Sequence, residues 1–255
     1  MRKRVLLCAI LLALVGAGAF ALAALAGGTS AGVDVLKANA RTAHAPSVHY
    51  AFTVRLIKSR QPLVLHIAGA SSRDELAVRL RLGDVKLPDG TVLPGATGAI
   101  MLSQPFLYER APGGIQVNGM SWLRLSVGHK SPRSQVLSTV RAMTPAPLLR
   151  VVAESRLHAV STDGAFAGTV DYADPVVQTA LARLGAGLQF RNLRVYVVVG
   201  KGDGLIHRFQ LTGRTADGRT RFSLHARLYG FGAPVSVVPP KPGTFMDEQL
   251  QQLGV

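Results

Sequence analysis

The sequence predicts an α+β fold, a long curved antiparallel sheet with helices packed on its apolar face. Three observations lead there. From His49 to Leu228, apolar and polar residues alternate with a period of two in segment after segment, as half-buried strands require. The alternation gives way to helical spacing at the front and in the middle of the chain, where Ser131-Pro132, Thr144-Pro145 and Asp174-Pro175 carry the signature of a helix start. Finally, 255 residues with 48% hydrophobic content and a mean hydropathy of +0.25 suffice for one sizeable core. No linker divides residues 33–255, which read as a single domain.

The N-terminal segment stands apart. Arg2, Lys3 and Arg4 precede an uncharged run of 22 residues, Val5 to Ala26. Ala24-Leu25-Ala26 places small residues where signal peptidase cuts, so residues 1–26 read as a signal peptide. Uncleaved, they would be an N-terminal membrane anchor, because about 20 apolar residues span a bilayer. Both readings export the rest of the chain, to the outer face of the cytoplasmic membrane or into the medium. Cys8 is the single cysteine and lies inside the run behind Leu6-Leu7, which fits no lipidation motif and excludes a disulfide framework. Residues 27–32 read as a short linker. Val33, Leu36, Ala40 and Ala43 then share one face of a short amphipathic helix over residues 31–44, ended by Pro46.

Strands follow. Tyr50, Phe52, Val54 and Leu56 alternate with His49, Ala51, Thr53 and Arg55. Leu63, Leu65 and Ile67 repeat the pattern, as do Leu76, Val78, Leu80 and Leu82. Pro88-Asp89-Gly90 and Pro94-Gly95 make residues 83–98 a loop or loose hairpin. Residues 100–108 read as a strand broken by Pro105, and Pro112-Gly113-Gly114 as a hairpin turn. Leu123, Leu125 and Val127 form the next inward set, with Trp122 on the opposite parity, at the rim or in the core. After the middle helices, the last of which carries Val176, Val177, Ala180, Leu181 and Leu184 on one face, the alternation resumes. Phe166, Gly168, Val170 and Tyr172 form one strand, and Leu193, Val195, Val197 and Val199 another. Gly200 to Gly204 and Asp217-Gly218 are turns leading into residues 205–211 and 220–228. The last strand is the cleanest, with Phe222, Leu224, Ala226 and Leu228 opposite Arg221, Ser223, His225 and Arg227. The count comes to about nine strands.

Catalytic chemistry finds no foothold. Gly119-Met120-Ser121-Trp122-Leu123 has leucine where a nucleophile elbow needs its second glycine. The Gly200 to Gly204 run is flanked by alternating strands instead of opening a helix, so it is a hairpin turn and not a phosphate loop. The seven histidines are scattered, and no Cys/His cluster has metal-ligand spacing. The expectation is therefore no enzyme, no metal and no cofactor. Charge is more informative: of a formal +15, +12 remains once Arg2, Lys3 and Arg4 are set aside. Export excludes nucleic acid as the partner. Two readings stay open: arginines that merely solvate outward strand faces, or attraction to an anionic membrane surface, worth about 1 kcal/mol per basic residue near the headgroups.

The order of elements resembles the LolA-like lipoprotein-carrier superfamily and, within it, the LppX/LprG-type mycobacterial envelope lipoproteins. The residues that carry the likeness are an early helix before long strands and Ser121-Trp122-Leu123-Arg124-Leu125 ahead of the middle helices. Pro145-Ala146-Pro147-Leu148-Leu149, Gly168-Thr169-Val170-Asp171-Tyr172 and Gly204-Leu205-Ile206-His207-Arg208 add to it. So does an ending in which Arg227-Leu228-Tyr229-Gly230-Phe231-Gly232-Ala233-Pro234 runs to Pro239-Pro240 and then Asp247. The likeness spans roughly residues 31–247. It departs in one respect, because the group carries a lipobox cysteine after its signal and this chain has none. A secreted form or an uncleaved anchor would take the place of the lipid tether.

The resemblance implies a half-open barrel whose concave face, roofed by helices, encloses a cavity for an acyl lipid or glycolipid. The implied role is to carry or present that lipid at the membrane, with a membrane transporter or another envelope protein as a further partner. The alternative is a sensor or structural partner-binding domain of the same fold. Strand parity and helix faces then select the cavity candidates: Phe52, Val54, Leu56, Leu65, Leu80, Leu102, Leu123, Leu149, Val152, Val177, Leu181, Val197 and Phe222.

Overall fold

The computed structural model describes residues 30–58, 61–86, 90–110, 116, 119–126, 143–182 and 189–247. Helix α1 (Ser30–Ala43) leads into β1 (Ser47–Lys58), β2 (Gln61–Ser72) and β3 (Glu75–Leu82). A small hairpin, β4 (Val85–Lys86) and β5 (Val92–Leu93), precedes β6 (Ala96–Ser103), β7 (Phe106–Arg110) and β8 (Trp122–Ser126). Next come α2 (Ala146–Ala153), β9 (Ser155–Ala159), β10 (Ala165–Val170) and α3 (Pro175–Ala182). The chain finishes with β11 (Phe190–Val199), β12 (Ile206–Thr215), β13 (Thr220–Tyr229) and β14 (Phe245–Asp247).

Twelve of these strands form one sheet in the order β14-β8-β7-β6-β3-β2-β1-β13-β12-β11-β10-β9, and it does not close on itself. Every pairing is antiparallel except β14 with β8. At the centre β1 pairs with β13, so His49 lies opposite Tyr229 and Leu56 opposite Phe222. Alternation works as the sequence requires. Along β13 Phe222, Leu224, Ala226 and Leu228 are buried while Arg221, His225, Arg227 and Tyr229 are exposed. The inward rows join Val35 and Ala38 of α1, Leu148, Leu149, Val151 and Val152 of α2, and Val177, Ala180 and Leu181 of α3 in one core. The helices lie over the β9–β12 part of the sheet, α1 packing on α2, β9 and β12, and α2 on α3.

Local chemistry fixes these pieces. The Asp174 carboxylate accepts the Val176 and Val177 N–H groups at 2.7 and 3.3 Å, which starts α3 where expected. Helix α2 starts at Ala146, with Pro145 as its N-cap, one residue later than the Thr144-Pro145 pattern suggests. Thr42, 4% exposed, donates to the Ala38 carbonyl at 2.7 Å and accepts the Ile206 N–H at 2.8 Å, which ties the end of α1 to the start of β12. Tyr50 lies across Gly69 of β2, where any Cβ would come within 2.7 Å of its ring.

The structure corrects several expectations. The main sheet has twelve strands, not nine. Residues 100–108 are two antiparallel strands reversing at Gln104-Pro105, so the proline marks a hairpin turn. The 83–98 segment holds a hairpin, β4–β5, as one of its two readings had it, but it already enters β6 at Ala96. Strands β9 and β14 carry too little alternation to be read in advance. On α1 the buried face is Val35, Ala38 and Thr42, whereas Leu36, Ala40 and Ala43 are exposed. The helix is rich in small residues on every side, and Thr42's two hydrogen bonds turn that face inward. The helix already includes Ser30, inside the expected linker. The Ser131-Pro132 helix, the Pro112-Gly113-Gly114 turn, Val127 and residues 1–26 lie outside the described residues.

Candidate functional site: the open end of the apolar face

All the cavity candidates lie on the inward face or the helices that cover it, within or against one cluster. Phe52, Val54, Leu102, Leu149, Val152, Val177, Leu181, Val197 and Phe222 are buried within it. Leu56, Leu65, Leu80 and Leu123 are only half-buried and pack along its margin. That margin follows one end of the sheet. Leu56 faces Leu63 across the β1–β2 pair, Leu65 faces Leu82 across β2–β3, and all four are half-buried. Phe222 continues the row opposite Leu56. Its ring lies tilted against that of Phe190 with centroids 4.8 Å apart, and Phe190 meets Tyr172 edge-on at 5.6 Å.

Beside this apolar row the strand ends form a recess of about 760 Å³. Tyr172, Phe190 and Leu193 give it apolar walls, while Gln178, Gln189, Arg191 and Asn192 supply polar groups. A β-bulge shapes it. Between Arg191 and Arg194, strand β11 carries one more residue than its partner β12. Asn192 takes up the extra residue at φ 54°, a left-handed conformation that asparagine tolerates better than most residues. Sequence alternation did not single out these residues, though a signal was present. Phe190 and Leu193 both point inward but have opposite parity, which a regular strand does not allow.

Titratable groups are sparse on this face. Glu109 lies on it, opposite both Ile100 and Leu123, and burial pushes its carboxyl above the ordinary range. The nearest approach to a catalytic pair is elsewhere, in the β11–β12 turn, where His207 and Asp203 meet at 2.8 Å. Asp203 also accepts the Leu205 N–H at 3.0 Å. That bond, ahead of the histidine, holds its carboxyl below the usual range. Both side chains are exposed, and the pair closes the turn. Among the described residues no group of three or more His, Cys, Asp or Glu is placed to hold a metal ion, and no helix is long and apolar enough to cross a membrane.

No family model and no curated protein matches the chain. Solved structures similar to it include LprF from Mycobacterium bovis, at 16% identity and a TM-score of 0.44, covering 84% of this chain and 99% of that one. The lipoprotein LppX from Mycobacterium tuberculosis is similar at 14% identity and a TM-score of 0.44, covering 82% and 98%.

Proposed function

We propose that this is an exported envelope protein that binds a lipid or glycolipid at the open end of its apolar face, and carries or presents it at the membrane. One observation carries the reading. A row of half-buried leucines (Leu56, Leu63, Leu65, Leu82) runs through Phe222 and Phe190 toward a recess lined by both apolar and polar side chains. Its volume of about 760 Å³ falls within the roughly 300–1,000 Å³ common for small-molecule sites. Acyl methylenes would cover the leucine row, each stabilised by about 0.8 kcal/mol relative to water. Gln178, Gln189, Arg191 and Asn192 would hold the polar head, beside the Asp171 carboxylate and the Arg194 guanidinium. Binding and release of this kind need no catalytic residue.

The test is lipid mass spectrometry on the full chain purified from an envelope-bearing host. A reproducible, stoichiometric lipid is expected. Leu56→Gln with Leu65→Gln, at half-buried positions that tolerate polarity, should remove it, and Phe190→Ala should weaken retention. A folded wild-type protein without lipid, or variants that retain it fully, would overturn the proposal.

A further inference from the structure

Over strands β1 and β9–β13, the face of the sheet opposite the helices is an arginine field without acidic residues. Strands β1 and β9–β13 contain no Asp or Glu. Their outward positions instead present Arg55, Arg194, Arg208, Arg214, Arg221 and Arg227, all exposed. None of the six forms an ion pair with a described residue. Two pairs stand directly opposite one another across strands, Arg208 with Arg227 and Arg214 with Arg221. Like charges placed so are destabilising. A face that only needed solvation would intersperse acids, whereas this one keeps the repulsion.

Its relief fits a partner. Depressions of about 480 and 590 Å³ lie on the face and meet at Arg194 and Thr212. From Arg55 on β1 to Arg194 on β11 is three strand spacings, about 14 Å, so the charges spread over an area instead of following a line. Tyr196 and Tyr229 stand exposed among them, at 39% and 42%, and Arg227 lies 5.7 Å over the Tyr229 ring. Tyrosine with arginine on a broad exposed face suits a lipid headgroup layer, where the ring sits at the interface and the guanidinium meets phosphate. Export, read from the apolar run at Val5 to Ala26, separates the face from nucleic acid.

We propose that this bare face docks on the headgroups of an anionic phospholipid bilayer, with Arg214, Arg221 and Arg227 among its contacts. In that orientation the helix-bearing face points away from the membrane that holds the protein.

The test uses the full chain with vesicles of phosphatidylcholine alone and of phosphatidylcholine mixed with phosphatidylglycerol, at low and high salt. Binding through the N-terminal run is common to every variant, so the readout is the excess on mixed vesicles. The wild type should show a large excess that falls with salt. R214Q/R221Q/R227Q should reduce it by about a hundredfold, at about fivefold per arginine. K37Q/K86Q/K241Q removes the same charge away from the face and should leave most of the excess. The arginine variant should melt no lower than wild type, because it removes both opposed pairs.

Equal loss in the two variants would reduce the effect to net charge and overturn the proposal. So would no loss in the arginine variant, no preference for anionic vesicles, or equal retention on a soluble polyanion such as heparin. None of the three arginines lines the recess at the sheet end, so copurified lipid measured on the same variants reports on the lipid-binding reading separately.

Discussion

Tyr50 and Thr42 are both buried hydroxyl residues of the core, and they behave in opposite ways. The Tyr50 ring stacks on Phe52 at 4.9 Å and lies across Gly69, yet its hydroxyl has no hydrogen-bond partner among the described residues. Burial accordingly pushes its phenol far up. Tyr50→Phe removes an unsatisfied polar atom and keeps the ring, so thermal unfolding should show unchanged or higher stability, by up to about 1 kcal/mol. Thr42→Val keeps the shape but strands the Ile206 N–H that its hydroxyl serves, and should cost about 1–3 kcal/mol. Glu109 adds a pH-dependent case. Its raised carboxyl pKa means that ionisation opposes folding, a penalty absent below the unfolded value and growing as pH rises through the folded one. Glu109→Gln should therefore match wild type in acid and exceed it toward neutral pH, which denaturant midpoints across pH would measure.

Individual strands are held by contacts that alternation does not encode. Strand β14 has three residues and pairs parallel to β8. What secures it is Arg124, which binds both Asp247 oxygens at 2.6 and 2.8 Å while its guanidinium lies 4.7 and 4.3 Å from the Phe106 and Phe245 rings. The hydrogen bond from Arg124 lowers the Asp247 carboxyl, so this contribution is present above the ordinary carboxylate range and lost as acid protonates it. Arg124→Lys loses the fork and the stacking. It should cost about 1 kcal/mol, since the pair is partly exposed, and speed amide exchange at Met246. At the other edge, Gly168 lets β10 lie close to β9, and an added Cβ would overlap the Arg156 carbonyl. Gly168→Ala should destabilise by about 1–3 kcal/mol, with exchange rising first in β9. The long strands were legible because both of their faces are written in alternation. Ser155–Ala159 offers one inward leucine, Leu157, and Phe245–Asp247 is too short for a period, so both exist through their neighbours. The recess was legible only as the parity slip at Phe190 and Leu193, and the burying face of α1 only through a hydrogen bond made to a strand far along the chain.

Across the whole molecule the inward faces are continuous, but the described helices gather over the β9–β12 part. Toward β1, β2 and β3 the leucine margin stays half-buried, so the apolar row of the candidate site lies there, while its recess lies at β10, β11 and α3. The two sheet edges are guarded differently: β14 is very short, and β9 is covered by α1. The centre is arranged less safely during synthesis. Strand β1 is among the first to emerge, yet the partner on its inner flank is β13, nearly the last. Until residues 220–229 arrive, β1 offers a long open edge with an apolar face, a template for pairing with other chains. A chain truncated before Thr220 should therefore fail to give a folded monomer and should elute as aggregate in size-exclusion chromatography. Because the two halves are joined by a pairing between sequence-distant strands, folding is slow to commit. For the front half of this chain the exposure to mispairing therefore lasts nearly as long as synthesis itself, because its closing strand is among the last segments made.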